Sequence, residues 1–156
     1  MSSSVLIIED DDNKLEQVRE AVSTQLPHWT INFAKSYQSG LRALLATQAD
    51  VLILDMTLPT FDRGSHKAGG RTRPFAGREI IEQLNRRGVS TSIVVVSGFE
   101  MLGEGTAAMS LGELDKQLTA GFSHLYRGYV YYSPSESGWR AKLGSILKKI
   151  ALGTKT

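Results

Sequence analysis

Three stretches of the sequence set oxygen-bearing side chains directly behind apolar runs. Glu9, Asp10, Asp11 and Asp12 follow Val5 to Ile8, Asp55 follows Val51 to Leu54, and Ser97 follows Ile93 to Val96. Carboxylates drawn to one place repel one another unless a cation lies between them, and hard oxygen ligands of this kind suit Mg2+ or Mn2+. A carboxylate is also a nucleophile toward phosphorus, and a divalent ion beside it offsets charge on the incoming phosphoryl oxygens. The hydroxyl of Ser97 would add a hydrogen bond to the same group.

Whether these groups meet depends on the elements that carry them. Val5 to Ile8, Val51 to Leu54 and Ile93 to Val96 are continuous apolar runs rich in β-branched residues, the pattern of strands buried on both faces of a parallel sheet. Thr30 to Phe33 reads as a short edge strand and Tyr129 to Tyr132 as a fifth. Between them, apolar residues recur at helical spacing: Leu15, Val18, Val22 and Leu26, closed by Pro27; then Tyr37, Leu41, Leu44 and Leu45; Ile80, Ile81 and Leu84; Leu111, Leu114 and Leu118; and Trp139, Leu143, Ile146, Leu147 and Ile150. Asp11 or Asp12 is placed to cap the first helix. Strict β-α alternation predicts a doubly wound, five-stranded parallel sheet with helices on both faces. Such sheets bind ligands at the carboxyl ends of their strands, where strand order reverses. Glu9, Asp10, Asp55 and Ser97 all fall on that edge.

A length of 156 residues fits one domain, placed at 1–152 with a polar tail at 153–156. The 41% hydrophobic and 22% charged content is that of an ordinary globular protein. With no cysteine there is no disulfide framework, thiolate metal site or cysteine nucleophile. The first apolar run is too short for a signal peptide or a membrane span, so a cytoplasmic protein with no membrane partner is expected. The net charge of +2 does not point to nucleic acid. Positive charge is instead concentrated in Arg63, His66, Lys67, Arg71, Arg73 and Arg78, in and beside a Gly-rich insertion at about 60–76. His28, His66 and His124 are too scattered to form a histidine metal site, and Gly69-Gly70 matches no P-loop. Tyr129, Tyr131, Tyr132 and Trp139 read as packing residues rather than a stacking platform for bases.

The residues Val5-Leu-Ile-Ile-Glu-Asp-Asp-Asp12, Ala49-Asp-Val-Leu-Ile-Leu-Asp-Met-Thr-Leu-Pro59 and Ile93-Val-Val-Val-Ser-Gly98 resemble, in order, the acidic motif, phosphoacceptor strand and hydroxyl-bearing strand of CheY-like response-regulator receiver domains. The resemblance covers nearly the whole chain. It implies a flavodoxin-like α/β/α fold and a function in two-component phosphorelay signalling. By position, Asp55 would be the phosphoacceptor and a metal ligand, Glu9 and Asp10 the other metal carboxylates, Thr57 a metal ligand through its backbone carbonyl, and Ser97 a contact to the phosphoryl group. Mg2+, or Mn2+, would be the cofactor. The phosphodonor would be a sensor histidine kinase or phosphotransfer protein, and the output an unidentified protein target, with room for a homodimer.

Two departures stand out. The family sets a lysine before a proline at the end of its last strand, where this chain has Tyr132-Ser133-Pro134, and Val130 takes the place of an aromatic switch residue. The insertion is the other departure: it reads first as a solvated, mobile loop, and the sharper alternative is that Arg71 or Arg73 folds over the pocket and replaces the missing ammonium. The leading reading is therefore a stand-alone receiver phosphorylated on Asp55, with at most self-phosphorylation and autodephosphorylation as enzymatic activity. A phosphorylation-independent interaction module is the alternative. A Mg2+-dependent phosphohydrolase comes third, because the acid such enzymes carry two residues past the nucleophile is here Thr57.

Overall fold

The computed structural model describes residues 3–62 and 71–154. The main sheet is built from β1 (Ser4–Ile8), β2 (Thr30–Ala34), β3 (Val51–Leu54), β6 (Ser92–Ser97) and β9 (Tyr126–Tyr131). All its pairings are parallel, in the order β2-β1-β3-β6-β9. The predicted doubly wound, flavodoxin-like α/β/α architecture is present. Two short antiparallel ladders flank it, β4 (Leu58–Pro59) with β5 (Thr72–Arg73) and β7 (Met101–Leu102) with β8 (Met109–Ser110). The helices are α1 (Asp12–Gln25), α2 (Tyr37–Ala46), α3 (Ala76–Arg86), α4 (Leu111–Gly121) and α5 (Gly138–Thr154).

Each central strand feeds two cores, because successive side chains alternate between faces. Val5, Ile7, Val51, Ile53, Val94 and Val96 pack with Leu15, Val18 and Val22 of α1 and Leu143 and Leu147 of α5. Leu6, Ile8, Leu52, Leu54, Ile93 and Val95 face the opposite layer, with Leu44 of α2, Ile80, Ile81 and Leu84 of α3, and Leu111, Leu114 and Leu118 of α4. Burial on both sides is why these strands read as unbroken apolar runs. The outer strand β2 is mostly exposed or half-buried, as an edge strand should be.

The last strand begins earlier than its aromatic run suggests. It starts at Tyr126 and ends at Tyr131, with an irregularity opposite Ile93/Val94 and Gly128 at φ +130, a conformation in which L side chains are strained. A glycine inside the strand breaks the apolar pattern while fixing the bulge. Tyr132, just beyond, is buried with its ring 4.9 Å from that of Trp139 in an edge arrangement, so the packing role expected for these aromatics holds there. The final helix continues through Gly153 to Thr154, beyond the point where the sequence places a polar tail.

Candidate functional site

Ile8 faces Leu54 in the β1–β3 register, so the next residues, Glu9 and Asp55, leave the sheet side by side. This is also where strand order reverses, with β2 wound to one side and β6 to the other. Backbone hydrogen bonds fix both positions. The Glu9 N–H donates to the Ala34 carbonyl at 3.0 Å, and the Asp55 N–H donates to the Ile8 carbonyl at 3.2 Å. Gly77 at the start of α3 closes in from below: its N–H donates to the Met56 carbonyl at 3.0 Å, and a Cβ there would lie 2.5 Å from the Asp55 carbonyl oxygen. Only glycine lets that helix approach the strand end so closely.

Glu9, Asp10 and Asp55 each bring a carboxylate oxygen within 4.8 Å of the other two. Three of the acids singled out in the sequence thus converge, with Glu9 and Asp55 buried and Asp10 half-buried. They border an open crevice of about 770 Å³ that also includes Thr57, Gly98, Phe99, Tyr131 and Ser133. Oxygen donors at this spacing fit a hard divalent ion.

Between the two buried carboxylates lies a cation that the sequence reading passes over. Asp11 caps α1 by accepting the Lys14 N–H at 3.0 Å, which settles the cap at Asp11 and places Lys14 in the first turn above the strand ends. The Lys14 ammonium lies 2.7 Å from Glu9 Oε1 and 3.2 Å from Asp55 Oδ2, and donates to the Val96 carbonyl at 2.9 Å. All three of its donors are engaged, and the residue is only 6% exposed. Its other neighbour is the Tyr132 ring, 5.8 Å from Nζ. A signal for this was present in the sequence. Lys14, Val18 and Val22 repeat at four-residue spacing, which puts Lys14 on the buried stripe of an amphipathic helix.

Burial first, then the negative charge of Asp55, pushes the Glu9 carboxyl up to about 8, against the pull of Lys14 and the Asp11 N–H. Burial acts on Lys14 in the other sense, lowering it. The charges of Asp55 and Glu9 and their hydrogen bonds outweigh that, and the ammonium is held above its ordinary value. The cluster is therefore a partly neutralised acidic site with a cation built in.

The remaining predicted residues sit around this centre. Asp55 Oδ1 accepts the Met56 N–H at 2.8 Å. Thr57 lines the crevice, with its hydroxyl donating to the Pro74 carbonyl at 3.1 Å. Ser97 is fully buried at the end of β6, and its hydroxyl closes the next turn, donating to the Phe99 carbonyl and accepting the Phe99 N–H, both at 3.1 Å. Ser133 borders the crevice with its hydroxyl 3.2 Å from that of Ser135.

The sharper alternative, that Arg71 or Arg73 covers the acids, is not what the structure shows. Arg73 donates to Glu79 at 3.2 Å and stacks 4.4 Å from the Tyr37 ring centroid, and both arginines line a separate crevice with Phe75 and Arg78. The reason is local: β4 and β5 pair, and Thr60 holds the Arg71 carbonyl through its N–H and its hydroxyl, turning that segment toward α2 and α3. Arg63, His66, Lys67 and Gly69-Gly70 lie outside the described residues.

No family model matches the chain. Among curated proteins it is 32% identical over 140 residues to the uncharacterized protein y4jR of Sinorhizobium fredii, covering 88% of this chain and 92% of that one. It is 26% identical over 148 residues to the Detocs response regulatory protein DtcB of Enterobacter cloacae, covering 94% and 97%. Among solved structures, the CheY-like response regulator receiver domain protein of Methanospirillum hungatei superposes with a TM-score of 0.63 at 18% identity, over 99% of this chain and 98% of that one. The signal receiver domain of an HD domain-containing protein from Pseudomonas fluorescens gives 0.66 at 16% identity, over 98% and 97%.

The chain has the fold of CheY-like response-regulator receiver domains. Its acidic crevice lies at the carboxyl edge of that sheet, where strand order reverses. The buried cation of the crevice comes from the first turn of α1, and the nearby strand end carries Ser133. Among the described residues no helix is long and apolar enough to cross a membrane.

Proposed function

We propose that this receiver accepts a phosphoryl group on Asp55 from a sensor histidine kinase or phosphotransfer protein and signals through protein contacts. The observation that carries the reading is the state of Asp55. Its carboxylate stands at the switch point of the sheet, oriented by the Met56 N–H, flanked by an ammonium and bordering an open crevice. In the transfer, one Asp55 oxygen attacks phosphorus. An O–P bond forms as the donor's P–N bond breaks, and the electron pair leaves on the imidazole nitrogen, which takes a proton from solvent. Glu9, Asp10, Asp55 and the Thr57 carbonyl would hold Mg2+, or Mn2+. Such an ion supplies charge compensation to the phosphoryl oxygens. Ser97 contributes a hydroxyl to the phosphoryl group once it turns from Phe99.

Output by protein contact is supported by the rim. Phe99, Met101 and Tyr131 are exposed at 56%, 56% and 40% along the side of the crevice formed by the ends of β6 and β9 and by β7. The name of the related DtcB, a response regulatory protein, is consistent with a regulatory role. One observation favours a second reading, a phosphorylation-independent interaction module: the Lys14 ammonium pairs with both Glu9 and Asp55. A phosphohydrolase is the weakest reading, because Thr57 carries no acid and its hydroxyl is engaged with Pro74.

Acetyl phosphate with Mg2+ decides between them, followed by a phosphate-affinity gel and by 19F NMR of beryllofluoride binding, with Asp55→Ala as the control. Label and bound fluoride that both vanish in Asp55→Ala are the expected result. A wild-type protein that takes neither overturns the proposal in favour of the interaction module, and sustained turnover of a phosphate ester would favour the hydrolase.

A further inference from the structure

The buried lysine invites a sharper assignment, one that rests on phosphorylation of Asp55. We propose that Lys14 is a catalytic residue of this receiver: its ammonium, delivered by the first turn of α1, moves from the Asp55 carboxylate onto the phosphoryl group as that group is transferred.

Reach is the first support. Lys14 Nζ is 3.2 Å from Asp55 Oδ2, so a phosphoryl group joined to that carboxylate places its oxygens within a small displacement of the ammonium. Anchoring is the second. The Val96 carbonyl, 2.9 Å from Nζ, belongs to the residue before Ser97 and ties the ammonium to the end of β6 whatever happens at Asp55. Donor accounting is the third. Before transfer the three N–H groups serve Val96, Glu9 and Asp55; afterwards they serve Val96, Glu9 and a phosphoryl oxygen, and none is stranded. A compact ammonium permits this exchange of one acceptor for another, where the rigid fork of an arginine would not.

Charge gives the reason such a residue is needed. Phosphorylation replaces the single negative charge of the Asp55 carboxylate with an acyl phosphate carrying about −1.5 to −2, in a pocket that also gathers Glu9 and Asp10. Among the described residues, Lys14 is the cation in contact with Asp55. Arg73 is committed to Glu79, and the strand end offers only the hydroxyl of Ser133. Lys14 takes no part in bond breaking and keeps its proton throughout. It stabilises the negative charge on the equatorial oxygens while the Asp55 O–P bond forms and the donor bond breaks.

The test compares wild type with Lys14→Met, which keeps the length of the side chain and removes its charge, using acetyl phosphate and Mg2+ with melting temperatures taken alongside. The rate of Asp55 labelling is expected to fall by about tenfold or more in Lys14→Met, the size of one lost charge-assisted hydrogen bond. A folded Lys14→Met labelled within about twofold of wild type overturns the assignment and leaves Asp55 phosphorylation standing. A wild type that takes no label at Asp55 overturns both. If Lys14→Met does not fold, wild type with beryllofluoride gives the answer. A nuclear Overhauser effect between bound fluoride and the Lys14 Hε and Hζ protons supports the contact, and its absence with fluoride bound overturns it.

Discussion

Two groups of cations, one at the acidic crevice and one in a separate crevice, differ in almost every physical respect. Lys14 is buried, has all three donors engaged and touches two carboxylates. Arg71, Arg73 and Arg78 belong to a crevice of their own and are at least partly exposed, and their partners lie on the protein's outer face: Arg73 reaches Glu79, and Arg78 reaches Gln117 at 3.3 Å and the Phe75 ring at 4.4 Å. Density of charge along the chain pointed to the second group, whereas proximity to the acids belongs to the first. A cation's importance to a buried site depends on the element that carries it, and one helical turn behind a strand end outweighs two arginines held away by a short ladder.

The comparison makes its largest prediction for stability. In metal-free buffer, Lys14→Met leaves Glu9 and Asp55 facing each other without compensation, and should cost about 3 kcal/mol or more, the range for breaking one side of a buried ion pair. Urea unfolding measures it, and Mg2+ should return part of the loss by supplying a replacement charge. A cost below about 1 kcal/mol would put Lys14 in the class of the surface cations and erase the distinction.

Glu9 sharpens the same contrast through pH. Its carboxyl is raised in the folded protein from about 4.5 to about 8, chiefly by burial and next by Asp55. The folded state therefore holds this proton where the unfolded chain has released it. The stabilising contribution is complete below the unfolded value and is lost progressively as pH rises through the folded one. Glu9→Gln imitates the protonated form and removes that slope. Between about pH 5 and pH 8, without metal, the stability of wild type should decline relative to Glu9→Gln by on the order of 1 kcal/mol or more. Parallel curves for the two proteins would show that Glu9 is ionised across the range, fully compensated by Lys14.

Most of the fold and the acid cluster were legible in the sequence, for a physical reason. Strands buried on both faces must be apolar throughout, so Val51 to Leu54 announce both the sheet and the position of Asp55 at its edge. Parallel register then brings Glu9 and Asp55 together without further information. Lys14 was hidden because polar residues in a helix are read as its solvent face, and only the spacing to Val18 and Val22 contradicts that here. The early start of β9 was hidden by Gly128, which interrupts an apolar pattern at the bulge. The course of Arg71 and Arg73 depends on pairing of Leu58–Pro59 with Thr72–Arg73, a contact of two short segments that no periodicity encodes.

That short ladder supplies the smallest prediction. Arg73 contributes a half-exposed ion pair with Glu79, a hydrogen bond to the Thr60 hydroxyl at 3.2 Å and a stacked contact with Tyr37. Solvent screens the pair, so Arg73→Ala should cost within about 1 kcal/mol of stability. With Lys14 proposed as the cation that meets the phosphoryl group, the variant should also take label from acetyl phosphate at a rate within about twofold of wild type. A loss comparable to that of Lys14→Met would mean that the arginine reaches the crevice during transfer, and the two cations would then have to be treated as one site. A double variant resolves that case. Independent positions give additive losses, while a shared contact with the phosphoryl group makes the second substitution cost less than the first.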